Sequence, residues 1–166
     1  MKAFIYSVLL LLSVILQVAV VDHLALFTII PDLSIILLGL AALGTNRNYA
    51  TLAGFLTGFL RDVLGYGIPG VGSLLFSVCG FIAGSLFSKR VFHKKLELLL
   101  VFAVYIFLYF FLAHFFINFM STSFWSGMLK NILPRVLYTL IIMGIVILFA
   151  PEKIWKKSMT NTFDSY

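Results

Sequence analysis

The sequence predicts an all-α integral membrane protein, a bundle of six transmembrane helices. Three observations carry that prediction. Hydrophobic residues make up 62% of the 166 positions and charged residues 11%. A soluble domain of this size could not bury so much apolar surface, so the excess has to face a medium as apolar as itself. The apolar residues gather into six runs close to the ~20 residues that cross a hydrocarbon core of ~30 Å. The connections are short, which packs consecutive helices antiparallel in one membrane domain, residues 1–150, followed by a short basic tail, residues 151–166. The single cysteine, Cys79, excludes an internal disulfide. The net charge of +6 reads as loops on one membrane face and not as nucleic-acid binding.

The first run is Ala3–Val21. Lys2 before it resembles a secretory signal, but the run exceeds a usual signal core and no clean cleavage site follows, so a retained helix is expected. The second is Leu24–Leu43, interrupted by Pro31-Asp32. Pro31 removes a backbone hydrogen bond. Two readings follow: a kinked span, or a shortened helix capped by Asp32, since proline and an acid both suit a first helical turn. The third run is Ala50–Gly67, the fourth Val71–Phe87, the fifth Leu96–Phe119 and the sixth Ile132–Ala150.

Six spans place both termini on one side. That side carries Lys2, Arg47, Lys89, Arg90, Lys94, Lys95, Lys153, Lys156 and Lys157, against Lys130 alone on the other. The bias makes both termini cytoplasmic. The loop Ser88–Lys95 and the tail with Trp155 among lysines then lie at the inner surface, where anionic membrane lipids attract them.

The intramembrane charges need the closest reading. Arg61 lies about 11 residues, or ~17 Å, along the third run from its inner end. By the same reckoning Asp32, Arg61, Asp62, His114, Asn118 and Arg135 all map to the outer half of the bilayer. Gly54, Gly58, Arg61 and Gly65 form one helical stripe that lets another helix approach closely, so Arg61 should point into the bundle. Asp62 is ~100° away and is not Arg61's natural partner. Asp32 and Arg135 are the candidates by depth, giving a charge-balanced buried cluster of two acids and two arginines. Unpaired charges at the bilayer centre cost ~2.5–3.5 kcal/mol on insertion scales. The cluster is either a structural clamp or a ligand site open to the outer face. Gly80 and Gly84 give the fourth helix a second small-residue face, for packing inside the bundle or for a partner helix.

Enzyme chemistry finds no footing. The chain has no HExxH helix, no GxSxG elbow and no P-loop. Two membrane aspartates, Asp32 and Asp62, suggest an intramembrane aspartyl protease, but Asp62 follows Gly58-Phe-Leu-Arg and not the Gly-x-Gly that precedes such an aspartate. No cofactor or metal is expected.

From the first helix to about Arg90 the pattern resembles the rod shape-determining protein MreD family. The features are Pro31-Asp32-Leu33 before an apolar run, a short loop with Arg47, the segment Ala53-Gly54-Phe55-Leu56-Thr57-Gly58-Phe59-Leu60-Arg61-Asp62-Val63-Leu64, a Gly/Pro turn over residues 67–72, and a glycine-bearing fourth helix. Arg61 departs from the family, where that position is often apolar. The resemblance implies a non-enzymatic subunit of the bacterial elongation machinery in the inner membrane. Its implied partners are an MreC-like protein, the MreB cytoskeleton and the RodA–transpeptidase peptidoglycan synthase. The family is also similar in architecture to the substrate-binding S components of energy-coupling-factor vitamin transporters, an alternative function. The Ala-x-x-x-Ala surface common on the first helix of S components is missing here, which weighs against transport.

Overall fold

The computed structural model describes residues 2–19, 31–64, 69–88, 92, 94–118, 130 and 132–149. Among them it forms six α-helices: α1 Lys2–Ala19, α2 Leu33–Gly44, α3 Arg47–Val63, α4 Val71–Ser88, α5 Lys95–Asn118 and α6 Leu133–Phe149. The expected tail, residues 151–166, lies outside the described residues.

Local chemistry sets the boundaries. Asn46 caps α3 by accepting the Tyr49 N–H at 2.9 Å. Between α3 and α4, Gly70 takes a positive φ of 88° that a side chain would strain. The second run is where expectation and structure part. The described helix α2 starts at Leu33 with Asp32 as its cap, as in the capped alternative, and residues 20–30 lie outside the described residues. The extended backbone of Asp32 precedes the helix, and its carboxylate accepts the N–H groups of Ser34 and Ile35. At 12 residues α2 is ~18 Å long, too short to cross a bilayer. By length and composition, the stretch Lys95–Phe116 of α5 can cross on its own; α1, α2, α4 and α6 contribute shorter apolar helices.

The short helix is the centre of the molecule. It packs against α1, α3, α4, α5 and α6, and Ile35, Leu38 and Ala41 on it are fully buried. Around it run α1, α3, α4, α5 and α6 in that order, each packed on the next. Among the described residues no comparable packing joins α6 back to α1. Gly39 brings α2 close enough to α5 for the rings of Phe102 and Tyr105 to lie against its backbone. Phe87 from α4 completes this layer, 4.8 Å from Phe102 between ring centroids.

The most extensive interface is α3 on α4, and it is made by glycines from both sides. A Cβ on Gly54 would run into the carbonyl of Phe76, and one on Gly58 into the carbonyl of Gly72. From the other side, a Cβ on Gly80 would strike the carbonyl of Ala50, and one on Gly84 the backbone of Arg47 at 2.6 Å. The fourth helix therefore does not keep Gly80 and Gly84 for a partner helix. Both small-residue faces meet inside the bundle, backbone against backbone.

Polar and apolar surfaces are distributed inside out. Ser13, Gln17, Asp32, Ser34, Thr57, Ser73 and Thr139 are buried, whereas Phe4, Leu52, Leu56, Val104, Ile141 and Phe149 are largely exposed. So many large apolar side chains exposed on every described helix but α2 are foreign to a water-soluble monomer.

Candidate functional site: the Asp32 junction

Among the described residues, α1, α3, α5 and α6 reach Pro31–Leu33, the turn that starts α2, and α4 adds Phe76 at one remove. The carboxylate of Asp32 divides its labour. Oδ1 caps α2, accepting the N–H of Ser34 at 3.1 Å and of Ile35 at 3.3 Å. Oδ2 accepts Arg61 Nη1 from α3 at 2.7 Å and the Tyr109 hydroxyl from α5 at 2.8 Å. Among the described residues these four groups are the donors to the carboxylate. The Arg61 guanidinium lies 5.0 Å from the ring centroid of Phe76 on α4, a cation–π contact. That ring in turn meets Tyr109 edge-on at 5.3 Å.

The backbone of the same turn is held by α1 and α6. Gln17 uses both ends of its amide. Its Nε2 donates to the Pro31 carbonyl at 2.9 Å, and its Oε1 accepts the Leu33 N–H at 3.0 Å. The Asp32 N–H donates to Thr139 Oγ1 at 3.5 Å. Thr139 donates its own proton to the Arg135 carbonyl one turn back. The ion pair is largely sealed, with side-chain exposure of 16% for Arg61 and 7% for Asp32. Such a pair attracts strongly in a low dielectric, and its remaining hydrogen bonds offset the desolvation that would otherwise cancel the gain.

The other charges expected in this cluster are placed elsewhere. Asp62 does not pair with Arg135. Its Oδ2 accepts the N–H of Gly70 at 3.0 Å, the N–H of Ser73 at 2.9 Å and the Ser73 hydroxyl at 2.8 Å, and its Oδ1 accepts the Gly72 N–H at 3.1 Å. The reason is position. Asp62 ends α3 where α4 begins, and the orphan N–H groups of a helix start are the nearest donors for an anion. Arg135 is exposed on α6, and only its backbone carbonyl joins the junction. His114 lies five residues beyond Tyr109, ~140° around α5, and is half-buried. Asn118 is the last residue of α5, and its side chain lies outside the described residues. The charge-balanced set of four thus reduces to one ion pair, Asp32–Arg61, beside an independent cap made by Asp62.

Sequence reasoning missed Gln17, Phe76, Tyr109 and Thr139. A signal existed for the first. Gln17 stands in α1 among aliphatic residues, where an amide with no partner would cost several kcal/mol in hydrocarbon. Tyr109 sits among the aromatics of α5 and Thr139 among the aliphatics of α6, where periodicity alone cannot tell a polar tip with a partner from packing.

The six described helices, with inward polar groups, an outward apolar surface and a buried ion pair at their centre, belong to the membrane-associated class of helical proteins. More narrowly, the family model of rod shape-determining protein MreD matches residues 1–152, and the chain belongs to that family. The family is membrane-associated and acts in the determination of rod shape. No curated protein and no solved structure matches the chain, so the expected likeness to S components has no solved structure behind it.

Proposed function

We propose that this chain is a non-enzymatic, multi-pass scaffold of the cell-shape and elongation machinery in the bacterial inner membrane, with both termini cytoplasmic. The observation that carries the reading is the Asp32 junction. Its polar groups are directed at one another and at backbone, so they fix the mutual positions of six helices and present a rigid surface to other membrane proteins. Catalysis by paired aspartates is disfavoured because Asp32 and Asp62 are engaged by separate sets of donors. Family membership supports an MreC-like protein, the MreB cytoskeleton and the RodA–transpeptidase synthase as the partners.

Extraction of the full-length chain in mild detergent, followed by identification of co-purifying proteins, is expected to recover an MreC-like protein. Recovery of an ATPase module with a vitamin-sized ligand would instead favour the transporter alternative. The cation bias predicts the topology. In a Cys79→Ala background, a membrane-impermeant thiol reagent applied from outside should label Ser123→Cys and spare Ser88→Cys. Labelling of Ser88→Cys alone would reverse the orientation.

A further inference from the structure

Among the described residues, the sparsely packed seam between α1 and α6 is lined in a consistent way. On α2 the residues that are not fully buried are Leu33, Leu37, Leu40 and Gly44, a single stripe at i, i+4, i+7, i+11. The contacts of α2 place this stripe. Ser34, ~100° to one side of Leu33, meets Ser13 of α1. Gly39, ~120° to the other side, meets Phe102 and Tyr105 of α5, next to α6. Gly44, at the far end of the stripe, lies against Tyr6 of α1, so Leu33, Leu37 and Leu40 are the part that faces the gap. On α6 the side toward α5 is marked by Gly144, which lies against Leu99. The opposite flank, toward the seam, carries Arg135 above Ile142. Among the described residues the result is an apolar groove floored by half-buried leucines, with the exposed Arg135 at the end where α2 and α6 begin. Among the described residues no carboxylate lies within salt-bridge distance of Arg135.

We propose that this groove holds one anionic phospholipid, its phosphate on Arg135 and an acyl chain along Leu33, Leu37 and Leu40. The inference rests on the membrane reading above. Two features select a lipid over a helix of another protein. The first is charge: a phosphate matches a guanidinium at the groove's mouth, whereas an apolar helix seated there would bury Arg135 without a counter-ion. The second is length. The floor from Leu33 to Leu40 runs ~10 Å and the whole of α2 ~18 Å. That suits a chain reaching from one surface toward the midplane of a ~30 Å core, and falls short of a helix that spans it.

The test uses the full-length protein, delipidated in mild detergent and titrated with phosphatidylglycerol under native mass spectrometry. A single saturable adduct is expected, and diacylglycerol with the same chains should bind far more weakly. Arg135→Gln should weaken phosphatidylglycerol binding about tenfold, the size of one hydrogen-bonded charge contact. Leu37→Trp, which fills the groove, should abolish the adduct. Leu56→Trp, on the exposed face of α3, should leave it intact. Size-exclusion profiles and helical circular dichroism check folding, and Leu9→Trp replaces Leu37→Trp if that variant does not fold; Leu9 is exposed on α1, ~160° from the Ser7 that meets Tyr49 of α3. Binding unaffected by both groove variants, or lost equally in Leu56→Trp, overturns the site. So does a co-purifying single-span protein that Leu37→Trp releases while the native chain holds no phospholipid. Failure of the membrane reading itself is distinguishable, because the chain would then be recovered in the soluble fraction without detergent.

Discussion

Asp32→Asn is expected to destabilise the bundle by about 3–5 kcal/mol, the cost of stranding a buried charge. The substitution is the right probe because Asp32 has two jobs. Asparagine keeps an acceptor for the Ser34 and Ile35 N–H groups, so the α2 cap survives and the loss reports on the ion pair. Arg61→Leu should cost less. It removes one of four donors from the carboxylate and leaves Tyr109 and the two backbone N–H groups in place. The double variant should recover much of the loss of Asp32→Asn, since no charge is then left unpaired. Unfolding of the four proteins in detergent micelles, followed by circular dichroism, gives the coupling energy. A strictly additive double variant would show that the two side chains do not interact.

The second large effect is expected at the α3–α4 interface. Gly→Ala at position 54, 58, 80 or 84 should cost about 1–3 kcal/mol each, the usual penalty for overpacking, and Gly→Leu should prevent the folded bundle from forming. The obstructing atoms are backbone: carbonyls at Phe76, Gly72 and Ala50, and the main chain of Arg47. A side chain can change rotamer to make room, but a helix backbone moves only as a body. All four positions should therefore fail alike, in thermal aggregation of the detergent-solubilised protein. If Gly84→Leu instead yielded a folded protein that had merely lost a partner, α4 would be a docking face after all.

The reason these stripes were legible only in part is instructive. Spacing identifies a small-residue face on α3 and another on α4, because the helical period is a property of one segment. What each face touches is a property of two. The sequence assigned the α3 face to the bundle and left the α4 face to the bundle or to a partner helix, and the structure puts both on a single interface. The same limit governs the charges. That Asp32 and Arg61 lie at matching depths follows from helix rise and chain direction, so their juxtaposition was accessible. Asp62 and Arg135 satisfied the same depth argument and do not meet. Depth is one coordinate; azimuth and the competition of nearer donors decide the rest. For Asp62 the N–H groups of Gly70, Gly72 and Ser73 are that competition.

The sequence by itself determined the class of molecule, the limits of five of the six described helices to within a few residues, and the family, because composition, run length and local motif are one-dimensional quantities. It also marked Pro31-Asp32 as the odd point in an apolar run. Only the tertiary structure decided that α2 is a short, capped central helix with five neighbours, and that Gln17, Tyr109 and Thr139, from positions as far apart as 107 residues from Asp32, clamp its first turn. The physical reason is that a buried polar group is stabilised by whichever donor reaches it in space, and reach depends on how whole helices pack. No local pattern encodes that, and the sparse packing between α1 and α6 among the described residues is visible only once every other neighbour of α2 is in place.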